Sequence, residues 1–458
     1  SVEAGGINNV AIGDNAGTAI TTGDHNTAVG KDALLSNTTA SNNTAVGIES
    51  LMCNTTGTAN LALGAYAMCK NTTANNNTAV GAAALLANTT GANNTGVGKD
   101  SLIANTTGAN NVAVGYLSLD ANTTGATNVA MGRGSLGANT TGSCNVAIGD
   151  LALVAATTVS QNTAIGMLSM TATTSGIRNT AVGRQSMCAN TTGCCNVAMG
   201  SNALASGTTG DFNVAVGGAA LGSVNTGNCN TAIGACAMNT NTSGANNTAV
   251  GKDSLLANTT GVNNVAVGKD SLKTNTTASG NTAVGESALE VTTTGCCNSA
   301  LGNGALQANT TGDNNTAVGQ AALAFNTTAD NNTAVGRLAM FCNTTGEQNT
   351  ASGINSLSSN TTGGINVANG AYVLCANTTG NDNTAIGGYS MKENTTGSTN
   401  VAMGRSSLRC NTTASNNTAV GNAALCLNTT GCENVAMGAK ALDANTTGHY
   451  NTAVGYDS

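Results

Sequence analysis

No proline and no tryptophan occur anywhere in this chain of 458 residues. Average usage of about 5% would give roughly 23 prolines. A chain in which every backbone N–H must donate to a neighbour excludes proline for that reason. Charge is scarce too: Asp, Glu, Lys and Arg make up 8% of residues, against about 25% in ordinary domains. The surface chemistry therefore falls to Asn, Thr, Ser and Gly. Only two histidines exist, His25 and His449. Both stand at turns near opposite ends, which leaves no Ser/His/Asp or Cys/His arrangement, so we expect no enzyme and no cofactor. Six Tyr, three Phe and a net charge of −7 argue against a nucleic-acid partner. No apolar run approaches the length of a membrane-spanning helix and no signal-peptide pattern is present, so no membrane insertion is expected.

What the chain does contain is one phrase repeated. Residues 246 to 255, NNTAVGKDSL, return at 263 to 272 as NNVAVGKDSL. With the Gly closing each AVG-like phrase as anchor, 27 anchors run from Gly13 through Gly251 and Gly268 to Gly455, always 17 residues apart. An Asn stands four residues before every one, Asn247 and Asn264 among them. No linker or composition shift interrupts the period, so residues 1–458 read as one continuous repeat domain without distinct cap units. The strict register of Val, Ile, Leu and Met argues against disorder.

Each unit reads as two short strands and two turns. The first strand is Asn247-Thr248-Ala249-Val250-Gly251 and its equivalents, with the two-residue alternation of a strand. After a polar pair comes Ser254-Leu255, expected as the second strand, then the turn Asn258-Thr259-Thr260-Gly261. A helix with Gly, two Thr and Asn in nearly every unit would run against propensity. Stacked at about 4.8 Å, such units form an all-β, parallel β-solenoid or β-roll of 27 coils. Columns of Val250-type and Leu255-type residues are expected to form the core, and the Asn247 column an amide ladder. The anchor Gly is expected where the backbone needs φ > 0 or a close approach. If positions minus three and minus one face inward, the Ala at minus two makes a smooth outer stripe suited to lateral packing. The opposite facing would leave an apolar stripe that demands a partner. Ser352 and Asn369 interrupt that column in successive coils, and a locally weaker place is expected there.

The 15 cysteines, Cys236 excepted, fall at plus five or six or at plus eleven or twelve from the anchor. The two groups flank the second turn. Cys188 with Cys194 or Cys195, and Cys426 with Cys432, are candidate bridges across one turn, and Cys53 with Cys69 between coils; small residues tolerated at a roomy turn are the alternative. Disulfides would imply an oxidising, extracellular setting. Metal-type CxxC spacing is absent, so no metal site is expected. Twenty units carry a sequon, as at Asn37, Asn258 and Asn445, open to glycosylation or simply serving the turn.

The phrases Asn9-Val10-Ala11-Ile12-Gly13 and Asn145-Val146-Ala147-Ile148-Gly149 resemble the head repeats of YadA-type trimeric autotransporter adhesins, and related repeats of viral and phage tail-fibre-like proteins. The resemblance implies a left-handed parallel β-roll, a trimer, and binding to a host, matrix or cell surface from a cell-surface appendage or virion. The sequence itself favours a structural extracellular fibre that self-associates. A second copy stacked after Tyr456-Asp457-Ser458 would resume the register almost without a gap, giving head-to-tail filaments. A receptor- or matrix-binding head or shaft is the alternative. An ice-binding solenoid is more distant, because the paired Thr of each unit stand at a turn.

Overall fold

A computed structural model describes residues 6–223 and 225–458, and the fold is an all-β, parallel β-solenoid whose coil is the 17-residue repeat. Contacts group the chain into two compact units, Ser1–Asn228 and Cys229–Ser458, both built from that coil. The first holds strands β1 (Val10–Ile12) to β13 (Val214–Val216), the second β14 (Thr231–Ile233) to β27 (Thr452–Val454). Each strand has three residues, and within each unit neighbouring coils pair their equivalent strands in register. Between β15 (Thr248–Val250) and β16 (Val265–Val267), for instance, Thr248 lies beside Val265, Ala249 beside Ala266 and Val250 beside Val267.

The expected second strand does not form. Asp253 and Leu255 have φ of 55° and 49°, in the left-handed region, and the same alternation recurs in neighbouring coils. That conformation costs about 1 kcal/mol for a residue with a Cβ. It is held because the bent segment still bonds to both neighbouring coils: the Asp253 N–H donates to the Ala235 carbonyl (3.0 Å), and those of Leu255 and Ala257 to Ser271 (3.0 Å) and Lys273 (2.9 Å). The turn bonds in the same way, Thr259 N–H to Thr276 O at 2.8 Å. Donors in strand and turn alike are committed, most to a neighbouring coil and some within the coil, as Asn258 N–H to Leu255 O at 3.2 Å, which leaves few places for proline.

The core also differs from expectation. Ala249, Ala266 and their equivalents in all but the first and last strands are buried, whereas Val250 and Val267 are only partly covered. The Val250 column thus lies on the outside, and the interior is made by Ala at minus two, Ala or Ser at plus three and Leu or Met at plus four. Leu255 and Ser254 are both at 0% exposure, as expected for Leu255. The reason is width. Gly96 replaces the usual Ala, and a Cβ there would meet Ser101 Oγ at 3.0 Å and Leu85 Cγ at 3.4 Å, so nothing larger than Ala fits the column. In the first coil Gly17 stands where other coils have Leu or Met, and Ile20, 4% exposed, has its Cδ1 only 3.2 Å from where a Cβ on Gly17 would lie.

This facing removes the basis for a weak place at Ser352 and Asn369. Both sit on the outer surface, and the inter-coil bonds there, Gly370 N–H to Ser352 O at 2.7 Å and Gly387 N–H to Asn369 O at 2.8 Å, match those of other coils.

Candidate functional site

Because Ala faces in, the residues on either side of it face out. Positions minus three and minus one form two parallel columns, Thr or Val in the first and Val, Ile, Met or Leu in the second, with few exceptions. Larger members stand well clear of the surface: Ile12 is 60% exposed, Leu63 44%, Met199 45% and Leu301 52%. The hydroxyls of Thr248, Thr282 and Thr316 make no hydrogen bond among the described residues. Turn threonines differ, since Thr259 Oγ1 donates to the Thr276 carbonyl at 2.9 Å. Each unit therefore presents a continuous ribbon of β-branched and apolar side chains with spare hydroxyls.

Behind the ribbon, two amide ladders fix the spacing. The Asn247 side chain accepts the backbone N–H of Asn264 (2.9 Å) and its amide (3.2 Å), as the ladder reading anticipates. Its own Nδ2 donates to the Gly261 carbonyl at 2.8 Å. A second ladder, which sequence reasoning treated as turn chemistry, runs through the sequon asparagines: Asn258 Nδ2 donates to Asn241 Oδ1 (2.8 Å) and to the same Gly261 carbonyl (3.1 Å). That one carbonyl joins both ladders within a coil. The signal was present in the repetition of Asn at plus seven.

This second ladder corrects the glycan reading. Asn37 and Asn258 are at 0% exposure, and a glycan on Nδ2 has no room in the folded coil. Asn445 is half-buried, with its Nδ2 donating to Asn428 Oδ1 (3.0 Å) and Gly448 O (3.1 Å).

The expected disulfides are not formed: all 15 cysteines are free thiols. Cys188 points its thiol at the Ala205 carbonyl of the next coil, while Cys194 points to Thr192 O and Cys432 to Thr430 O, so neither Cys188 with Cys194 or Cys195 nor Cys426 with Cys432 is joined. Cys53 and Cys69 do lie on adjacent coils, Cys53 N–H donating to Cys69 O at 3.0 Å, yet they are unjoined. Burial, with smaller contributions from Cys53 and Glu49, pushes the Cys69 thiol up to about 11. Among the described residues no group of three or more His, Cys, Asp or Glu could hold a metal.

Charges cluster in small exposed pairs, such as Arg133 with Asp150 (2.8 Å) and Lys269 with Glu286 (3.4 Å). Pairs this exposed contribute little. Lys273 and Lys269 hold the Asp270 carboxyl below the usual carboxylate range, with Lys273 the larger influence. None of these groups adjoins a reactive partner, whereas the ribbon is continuous through each unit. No family model matches the chain, and no curated protein matches it in sequence.

Proposed function

We propose that this protein is a non-enzymatic structural repeat protein that associates side by side with copies of itself, through the outward strand ribbon, to build an extracellular fibre. The observation that carries this reading is the facing of the strands. An alanine interior puts an apolar minus-one column, interrupted at Ser352 and Asn369, and a mixed Thr and Val minus-three column in water over thirteen successive strands of the first unit and fourteen of the second. At about 4.8 Å per coil and about 10 Å of width, the ribbon offers roughly 600 Å² per unit. Each unit by itself supplies about three quarters of the about 800 Å² per partner typical of a stable interface. The partner best suited to it is another copy, because only a surface with the same rise meets every side chain of a column.

The test is a triple variant in alternate coils, Val250→Asp with Val284→Asp and Val318→Asp, so that no two carboxylates are direct neighbours, studied by sedimentation velocity. These side chains pack on nothing inside the coil, so circular dichroism and melting should stay close to the parent. Association should weaken at least about a hundredfold, or about 3 kcal/mol. A parent that stays monomeric at every concentration, or a variant that associates as well, contradicts the reading.

The unpartnered Thr hydroxyls favour a second reading, ice binding, more than the sequence did, because they stand on the strand face and not only at the turn. Protruding Met131, Met199, Leu63 and Leu301 break the flatness that an ice plane requires, which favours side-chain packing; a freezing-hysteresis assay separates the two.

A further inference from the structure

A perfect repeat has a difficulty as an interface. If every coil presents the same two side chains, two ribbons slipped by one coil meet nearly the same contacts as two aligned ones. Register can then be set only by an irregularity. In the first unit the outer minus-one column has none of polar character, running from Ile12 to Val216 through Val, Leu, Met and Ile alone. In the second unit it has one: Ser352 closes β21 (Thr350–Ser352), Asn369 closes β22 (Val367–Asn369), and the two are direct neighbours in the ladder. Asn369 is exposed and Ser352 partly so, and neither side chain makes a hydrogen bond among the described residues. Their flanks are apolar, Val335 on one side and Ile386 on the other.

We infer that Ser352 and Asn369 set the axial register of lateral association, so that copies running in the same direction align level. This rests on the ribbon being the self-association surface. When ribbons close on each other, an amide or hydroxyl facing Val or Ile of the partner loses its water and gains nothing. In the level arrangement the two polar pairs meet and bond to one another. A slip of two or more coils sets all four side chains against apolar columns. A slip of one coil keeps a single Ser352–Asn369 contact and leaves the remaining Asn369 and Ser352 facing Ile386 and Val335. A single buried Asn acts this way in coiled coils, trading stability for register. Level alignment also gives the greatest overlap and is the arrangement that closes about an axis parallel to the stack.

The experiment uses the full chain with a photo-crosslinking amino acid at Thr333, which lies on the outer face two coils from Asn369 and leaves the native cysteines untouched. In the parent, crosslinks mapped by mass spectrometry should fall on the partner's equivalent coil and its immediate neighbours. In Ser352→Val with Asn369→Val, the oligomer should persist and crosslinks should spread over four or more coils, slipped registers rising at least tenfold. Moving the pair to two earlier neighbours in the same column, by adding Val267→Ser and Val284→Asn to that background, should narrow the pattern again. The inference is overturned if the parent already shows spread crosslinks, or if the double variant keeps the narrow pattern. A parent that never associates fails at the earlier step and removes both proposals, which sedimentation reports separately from the crosslink map.

Discussion

Gly251→Ala and Gly268→Ala are each expected to destabilise their coils by about 4 kcal/mol, the sum of backbone strain and overpacking. The φ values are 135° and 131°, where a residue with a Cβ is strained whatever space surrounds it. Space is also lacking. A Cβ on Gly251 would meet the carbonyl oxygen of Gly268 at 2.5 Å and its carbon at 2.6 Å, and one on Gly268 would meet the same atoms of Gly285 at the same distances. Those atoms are main chain, held by bonds such as Gly268 N–H to Val250 O at 2.8 Å, and have no rotamer to swing away. The effect should be local, since each coil touches only its neighbours. Hydrogen exchange in the flanking coils should accelerate about a thousandfold. Gly218→Ala is the control: a Cβ there meets nothing within 4 Å, and a change within about 0.5 kcal/mol is expected. Equal effects at Gly218 and Gly251 would show that the anchor conformation does not matter.

Asn264→Ala should cost about as much, near 4 kcal/mol, for a different reason. The side chain is at 0% exposure and makes three kinds of bond. Its Nδ2 donates to Ala278 O (2.8 Å) and Asn247 Oδ1 (3.2 Å), and its Oδ1 accepts the backbone N–H of Asn281 (3.0 Å). Removal leaves that buried N–H without an acceptor as well as a void. Asn258→Ala should cost roughly half as much, about 2 kcal/mol, because the ladder at plus seven satisfies side chains and one carbonyl but no backbone donor of the next coil. The protein already contains such breaks. Ala156, Thr173 and Thr292 stand in that column, and Asn139 Oδ1, Asn275 Oδ1 and the hydroxyls of Thr173 and Thr292 are buried without partners beside them. The column at minus four has no break in 27 coils. Denaturant melts and exchange rates that rank Asn258→Ala as the worse variant would contradict this account of the two ladders.

The period, the parallel in-register stack, the Leu255 column and the Asn247 ladder were all legible in the sequence, because each follows from one residue lying over its equivalent. Three features were not. The strand Thr248-Ala249-Val250 alternates, and alternation alone does not say which face is inside. The ordinary preference for burying Val over Ala pointed the wrong way because the coil is too narrow for Val. The segment Ser254-Leu255 has strand-like composition, and nothing in it announces the positive φ at Asp253 and Leu255. That conformation arises from bonds to two neighbouring coils, a property of the stack and not of the segment. The thiols were misjudged for a related reason: sequence places Cys188 and Cys194 on either side of a turn but does not say that each thiol has a carbonyl of its own.

The central claim is that alanine faces in and the minus-one column faces out to a partner, and the methionines report on it directly. Met131, Met199, Met403 and Met437 stand in that column at 41–47% exposure, whereas Met68, Met170, Met187, Met238, Met340 and Met391 occupy plus four at 0%. Native peroxide oxidation, read residue by residue in dispersed and in associated protein, is therefore the decisive measurement. The first four should oxidise rapidly when dispersed and become protected on association, with the other six protected throughout. Protection of Met131, Met199, Met403 and Met437 in the dispersed chain, or their continued oxidation in the assembled state, would contradict the account.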